Sequence, residues 1–203
     1  MNNNSDYGSG DSIGKNFWNE LWQKNETGWD IGQASPAITQ YMTQYADKSK
    51  AILIPGCGNA HEAEFLVATG FTNITLIDIA PKAVETLREK FSDKPQVKIL
   101  CEDFFDHEGN YDLIIEQTFF CAIPPSRRNE YTKKMASILN PDGKIIGVLF
   151  NKQFNQPLPP FGGSPDIYKP IFEPYFNIKT MEECYNSIPP RSKAEVFIIL
   201  LRK

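Results

Sequence analysis

Histidine is nearly absent, with two in 203 residues, and the four cysteines, Cys57, Cys101, Cys121 and Cys184, form no C-x-x-C pair. That pattern supports neither a zinc site nor a disulfide framework, and scattered thiols suit a reducing cytoplasm. Positive charge is not in excess: 21 Lys and Arg stand against 25 Asp and Glu, for a net charge of -4. Nucleic acid calls for a basic face, so the expected partner is a small molecule, neutral or anionic. No apolar run approaches the roughly 18 residues that a membrane-spanning helix needs. The first fourteen residues, "MNNNSDYGSGDSIG", lack the basic start and apolar run of a signal peptide and are expected to form a disordered polar tail. Internal repeats and coiled-coil heptads are also missing.

What is present is an alternation of strands and helices from residue 51 onward. Apolar runs at 51–56, 73–79, 96–103, 111–118 and 143–150 read as strands buried on both faces, the signature of a parallel sheet. Between them lie helices with recognisable ends. Asn59 caps the first in a capping-box arrangement with Glu62, and Gly70 closes it. Pro81 opens the second, with Val84, Leu87 and Phe91 on one face. Ser126 caps a third, whose buried stripe is Tyr131, Met135, Ile138 and Leu139, and "NPDG" stops it. The end of the chain reads as two strands joined by "IPPRSK", a hairpin that makes the sheet mixed. The expectation is a doubly wound α/β fold over residues 15–203, with 15–50 a helical lid segment and 51–203 the Rossmann-like core.

Residues 54–62, "IPGCGNAHE", carry the chemistry. The turn Gly56-Cys57-Gly58 lets backbone approach a ligand closely before a helix whose first amides are free. Asp78 ends the second strand twenty residues after Gly58, where an acidic side chain accepts bonds from ribose hydroxyls. An adenosine-bearing ligand is implied. The third glycine of a dinucleotide loop is missing, however, and Glu62 and Glu64 in the first helical turns suit a diphosphate poorly. They are acceptable beside S-adenosylmethionine, which carries an ammonium, a sulfonium and one carboxylate. Asp103 and Phe104 follow the third strand, where the edge and face of adenine would lie. Asp103 as a simple turn cap and Phe104 as core are the alternative. Cys57 reads as a small residue in a crowded turn, since no base stands near it in sequence.

Two regions fall outside the repeat. Residues 15–35 hold all three tryptophans, Trp18, Trp22 and Trp29, and residues 151–170 form a Pro/Gly-rich excursion; both are candidate covers over the carboxyl edge of the sheet. Indole faces also stabilise an adjacent cation.

The segments "FWNELWQKNETGWDIGQASP", "ILIPGCGNAHEAEFL", "LIDIAPKAVE" and "EQTFFCAIPPSRR" closely resemble the thiopurine S-methyltransferase family. Within it they are most similar to the halide and thiol methyltransferases of the "harmless to ozone layer" group, from about residue 17 to the carboxyl terminus. The resemblance implies a seven-stranded, mostly parallel methyltransferase sheet with an antiparallel carboxyl-terminal strand, binding S-adenosyl-L-methionine. It places Trp18, Trp22 and Trp29 against the cofactor, Gly56 at its methionine portion with Gly58 in the same cofactor-binding loop, Asp78 at the ribose, and Asp103 with Phe104 at the adenine. Where the plant enzymes have Asp-Tyr-Val before "FFCAI", this chain has Glu116-Gln117-Thr118, so Gln117 stands in place of a tyrosine bordering the acceptor.

The acceptor pocket is accordingly expected between Gln117, Phe120, Trp29 and the 151–170 loop, with Gln117 also within reach of the cofactor. The expected activity is S-methyl transfer to a small thiol, with halide or sulfide as further acceptors. A larger aromatic thiol of the thiopurine kind, a non-catalytic adenosine-binding module, and an NAD-dependent oxidoreductase are the rivals. His61 and His107 are weak base candidates, and Arg127 and Arg128 are read as a solvated first helical turn, with thiolate entry as their alternative role. No metal is called for, and a cytoplasmic monomer is expected.

Overall fold

The computed structural model describes residues 13–203. Except for Ile13 and Gly14, the expected disordered tail lies outside the described residues. A seven-stranded sheet runs in the order β3-β2-β1-β4-β5-β7-β6. Its strands are β1 (Ile52–Pro55), β2 (Ile74–Asp78), β3 (Val97–Cys101), β4 (Tyr111–Gln117), β5 (Leu139–Phe150), β6 (Phe176–Glu183) and β7 (Glu195–Arg202). The first five pair in parallel, and β7 runs antiparallel to both β5 and β6, the mixed sheet expected from the closing hairpin.

Each inner strand is apolar on both sides because both sides are covered. Ile52 and Ile54 of β1, with Leu113 and Ile115 of β4, pack with α2 (Pro36–Thr43), α3 (His61–Ala68) and α4 (Pro81–Lys90). Leu53 and Ile114, one residue out of step, pack instead with α5 (Arg128–Ser137) and α6 (Pro165–Phe172). The two-residue period within continuous apolar runs thus divides the core into two layers. A further helix, α1 (Lys15–Gln23), precedes them and contacts α4.

Several local expectations need correction. Neither Asn59 nor Glu62 caps α3. Ala60 is its N-cap in a left-handed conformation, φ +51, while Asn59 Nδ2 donates to Asp30 and Glu62 accepts from the Ser35 amide at 2.9 Å. Tertiary partners took both side chains from the local motif. Ser126 does not cap α5 either, because a 3-10 turn over Pro125–Arg127 intervenes, and Arg128 is not solvated as expected but buried, its Nη2 donating to the Phe161 and Gly162 carbonyls. Leu139 is the first residue of β5, not the last of a helix, since it pairs with Tyr111 ahead of a register irregularity. The expected excursion at 151–170 contains the start of α6, which has Pro165 in its first turn and Tyr168 and Phe172 in the core.

β1 and β4 are neighbours although successive connections leave them in opposite directions. That switch point opens a crevice at the carboxyl ends of the parallel strands.

Candidate active site

A cavity of about 880 Å³ occupies this crevice, floored by residues that follow β1 to β5 and roofed by the segment from α1 to Gln33. The loop after β1 bends sharply, with Gly56 at φ +54 and Gly58 at φ +52, conformations that side chains other than glycine rarely adopt. A Cβ at Gly56 would lie 2.2 Å from Phe119 Cδ2, so packing as well as φ demands glycine there. Asp78, 8 % exposed at the end of β2, holds the turn open. Its Oδ2 accepts the Gly58 amide at 3.0 Å and its Oδ1 the Ala80 amide at 2.9 Å. Burial raises the Asp78 carboxyl from its ordinary value, against the pull of the amides that bond to it.

The three tryptophans line the cavity together. Trp29 stands edge-on to Trp18 and Trp22, with ring centroids 5.5 and 6.1 Å away. A Cβ at Gly58 would meet Trp22 at 3.7 Å and Trp29 Nε1 at 3.8 Å, so the indoles lie directly over the glycine turn. Asp103 and Phe104 border the same space beyond β3, but the alternative roles also hold: Asp103 Oδ1 accepts the Phe105 amide at 2.9 Å, and Phe104, 3 % exposed, packs in the core against Tyr131. Gln117 reaches the cavity from the end of β4. Phe120 does not: it is 1 % exposed and buried between Tyr131, Tyr168 and Phe172, while its neighbour Phe119 faces the cavity. Phe119 stands two residues after Gln117, so the alternation of β4 carried into the turn gives the cavity side to Phe119 and the buried side of Glu116 to Phe120.

Sequence reasoning missed two further groups. Asp30 ties the roof to the glycine loop. It receives Asn59 Nδ2, the Gly32 amide at 2.8 Å and His61 Nε2 at 2.9 Å. Burial pushes its carboxyl up, but these bonds outweigh that and leave it below its usual value. The other His61 nitrogen contacts Glu64 at 3.2 Å, so His61 is structurally engaged. Arg191, from "IPPRSK", lines the opposite end; its Nη2 donates to the Trp29 carbonyl at 2.8 Å and its Nη1 pairs with Glu195 at 3.2 Å. β7 begins antiparallel at the carboxyl edge, so the preceding loop had to lie over the crevice. An arginine in that loop was the available signal.

Among the described cavity-lining residues, those following β5 and preceding β7 include Lys152 and Arg191 and no carboxylate, while Asp78, Glu102 and Asp103 line the β2 and β3 side. The cavity is therefore acidic toward one end and cationic, with Phe150 and Phe154, toward the other. Cys57 is no nucleophile: burial and the adjacent Asp78 push its thiol well up. His107 is buried behind the wall between Glu102 at 2.5 Å and Tyr111 at 2.9 Å.

The sequence matches the family model "Thiopurine S-methyltransferase (TPMT)" over residues 13–199. It is 32 % identical to "Probable thiol methyltransferase 2" of Arabidopsis thaliana over 77 % of this chain and 71 % of that protein. To "Thiocyanate methyltransferase 1" of Brassica oleracea it is 28 % identical, over 91 % of this chain and 84 % of that one. In structure it is similar to the magnesium protoporphyrin IX methyltransferase of Synechocystis PCC 6803 solved with bound SAM. The TM-score is 0.75 at 14 % identity, covering 98 % of this chain and all of that chain.

Proposed function

Because the chain belongs to the thiopurine S-methyltransferase family, whose donor is S-adenosylmethionine, we propose that its acceptor is a small thiol bound as the thiolate. The observation that carries this reading is the charge and polarity of the acceptor half. Lys152 and Arg191, the latter paired with Glu195, line the cavity with the aromatic rings of Phe119, Phe150 and Phe154, and no carboxylate is among the described cavity-lining residues after β5. Cations in a water-poor pocket favour an anion, and that preference draws a thiol into its ionised form.

The residues fit the donor. The glycine turn, which lets the backbone approach closely, the Asp78 carboxylate, and the indole faces offer the close-packing, hydroxyl and cation contacts that its methionine, ribose and sulfonium parts require. The donor supplies an activated methyl group. The chain supplies position: strands β1 to β5 fix one wall, and the tryptophan roof excludes water and holds both reactants in register. A general base is unnecessary for an acceptor that arrives ionised, and His61, between Asp30 and Glu64, is not available as one. Trp18, Trp22, Trp29, Gly56, Gly58, Asp78, Asp103 and Phe104 are assigned to the donor, and Gln117 and Phe119 to its border with the acceptor.

Within the thiols, three phenylalanines favour an apolar or aromatic side group, which places halide and sulfide lower. We also assign the protein to the cytoplasm as a monomer, a reading that its four free cysteines support. Labelled methyl donor incubated with aliphatic and aromatic thiols, sulfide and iodide tests the assignment. Transfer should be fastest to aromatic thiols; transfer to iodide alone would defeat it.

A further inference from the structure

Glu116, the residue before Gln117, is a carboxylate with no solvent exposure and no role in the chemistry described above. It does not line the cavity. Its Oε1 accepts the Phe120 amide at 3.0 Å, the Phe119 amide bonds to the same carboxyl, and its Oε2 accepts the Tyr131 hydroxyl. Such a set leaves the carboxylate with donors and no cation. Directly after it the backbone does something uncommon: Thr118, a β-branched residue, has φ +59. A conformation that unfavourable persists only where surrounding contacts over-determine it, and such positions cluster at functional sites. Here the Cys121 thiol donates to the Thr118 carbonyl at 2.6 Å, and Glu116 holds the two amides on the far side of the bend.

We propose that Glu116 is the positioning residue of the acceptor wall: its carboxylate fixes the strained Thr118 turn and thereby sets where Gln117 and Phe119 stand in the cavity. The inference rests on the assignment of that wall to the acceptor. Glu116 acts through main-chain amides and touches neither reactant. Burial pushes its carboxyl up to about 7, with the Tyr131, Phe120 and Phe119 bonds opposing that rise. The charged form is the stronger acceptor, so the hold on the turn weakens as pH falls through neutrality. The titratable side chains packed against it are Tyr131 from α5 and Cys121 from the turn, both held protonated by burial. Arg128 and Arg191, whose charges act on Cys121, are committed to the Phe161 and Gly162 carbonyls and to the Trp29 carbonyl with Glu195.

The experiment compares wild type, Glu116→Gln and Tyr131→Phe by two readouts. The first is the pH dependence of acceptor KM, with a nitro-substituted aromatic thiol that stays ionised throughout. In wild type KM should rise as pH falls through about 7, while S-adenosylhomocysteine affinity stays constant. Glu116→Gln should have a flat profile with KM raised on the order of tenfold. Tyr131→Phe removes a bond that favours the charged form, so its break should move to higher pH. The second readout needs no turnover: the amide resonances of Phe119 and Phe120, observed by nitrogen-15 labelling, should titrate in wild type, titrate at higher pH in Tyr131→Phe, and not titrate in Glu116→Gln. Amides indifferent to pH in wild type, or a midpoint unmoved in Tyr131→Phe, would overturn the inference. Titrating amides with no turnover on any thiol would leave Glu116 as the anchor of the turn and defeat the thiol assignment instead.

Discussion

Asp78 commits one lone pair of each carboxylate oxygen to a main-chain amide, which leaves the others for a ligand in the cavity it lines. It therefore shapes the glycine turn and meets the donor with the same side chain. Asp78→Ala should weaken S-adenosylhomocysteine binding on the order of 10- to 100-fold in calorimetry, the loss of a charged hydrogen-bonding group. Cys57→Ser should change it less than about threefold. Equal effects would detach Asp78 from the ribose. Glu116 makes a separate prediction for stability. Burial holds its folded pKa at about 7, above the ordinary value of a glutamate in the unfolded chain, so the native state binds the extra proton between those values. Its effect on stability is nil below the unfolded pKa, grows unfavourable as pH rises from there to about 7, and levels off above that, about 3 kcal/mol lower in total. Denaturant midpoints of wild type and Glu116→Gln, compared at pH 5 and 8, should differ in their pH slopes by that amount. Parallel slopes would contradict it.

The roof segment between α1 and α2 buries little apolar surface of its own, and Asp30 fastens it to the glycine loop, alongside the Arg191 bond to the Trp29 carbonyl and the Ser35 amide on Glu62. Asp30→Ala should increase hydrogen exchange across residues 28–35 and raise the KM for the donor on the order of tenfold, with folding stability nearly unchanged. Unchanged exchange there would mean that the tryptophan contacts with the Arg191 and Glu62 bonds hold the roof without Asp30. At this scale the sequence was readable wherever local chemistry decided the outcome. The apolar runs of β1 to β4, Pro81 at the start of α4, and Gly70 at φ +90 behind α3 are local signals, and each lies where it was expected. It was misread where a distant partner competed. Glu62 suits a capping box by spacing, but Ser35 lies 27 residues earlier and offers it a buried amide. Phe120 was expected in the acceptor pocket although period-two alternation from Gln117 favours Phe119; Phe120 falls on the side of the buried Glu116. Arg191 acquires meaning only after β7 is known to begin at the carboxyl edge.

Over the whole molecule, one sheet of parallel strands supplies a stationary wall and one segment from outside the repeat supplies the cover. Trp29 touches both halves of the space beneath it. Its ring lies over the glycine turn, and its carbonyl is held by Arg191 on the cationic side. A shared roof makes the two ligands kinetically unequal. The donor completes the surface against which the thiol docks, so it must load first, and its spent form must leave last, once the methylated product has gone. Steady-state turnover should be ordered. S-adenosylhomocysteine should compete with the donor and inhibit noncompetitively against the thiol, and product release should limit the cycle when the chemical step is fast.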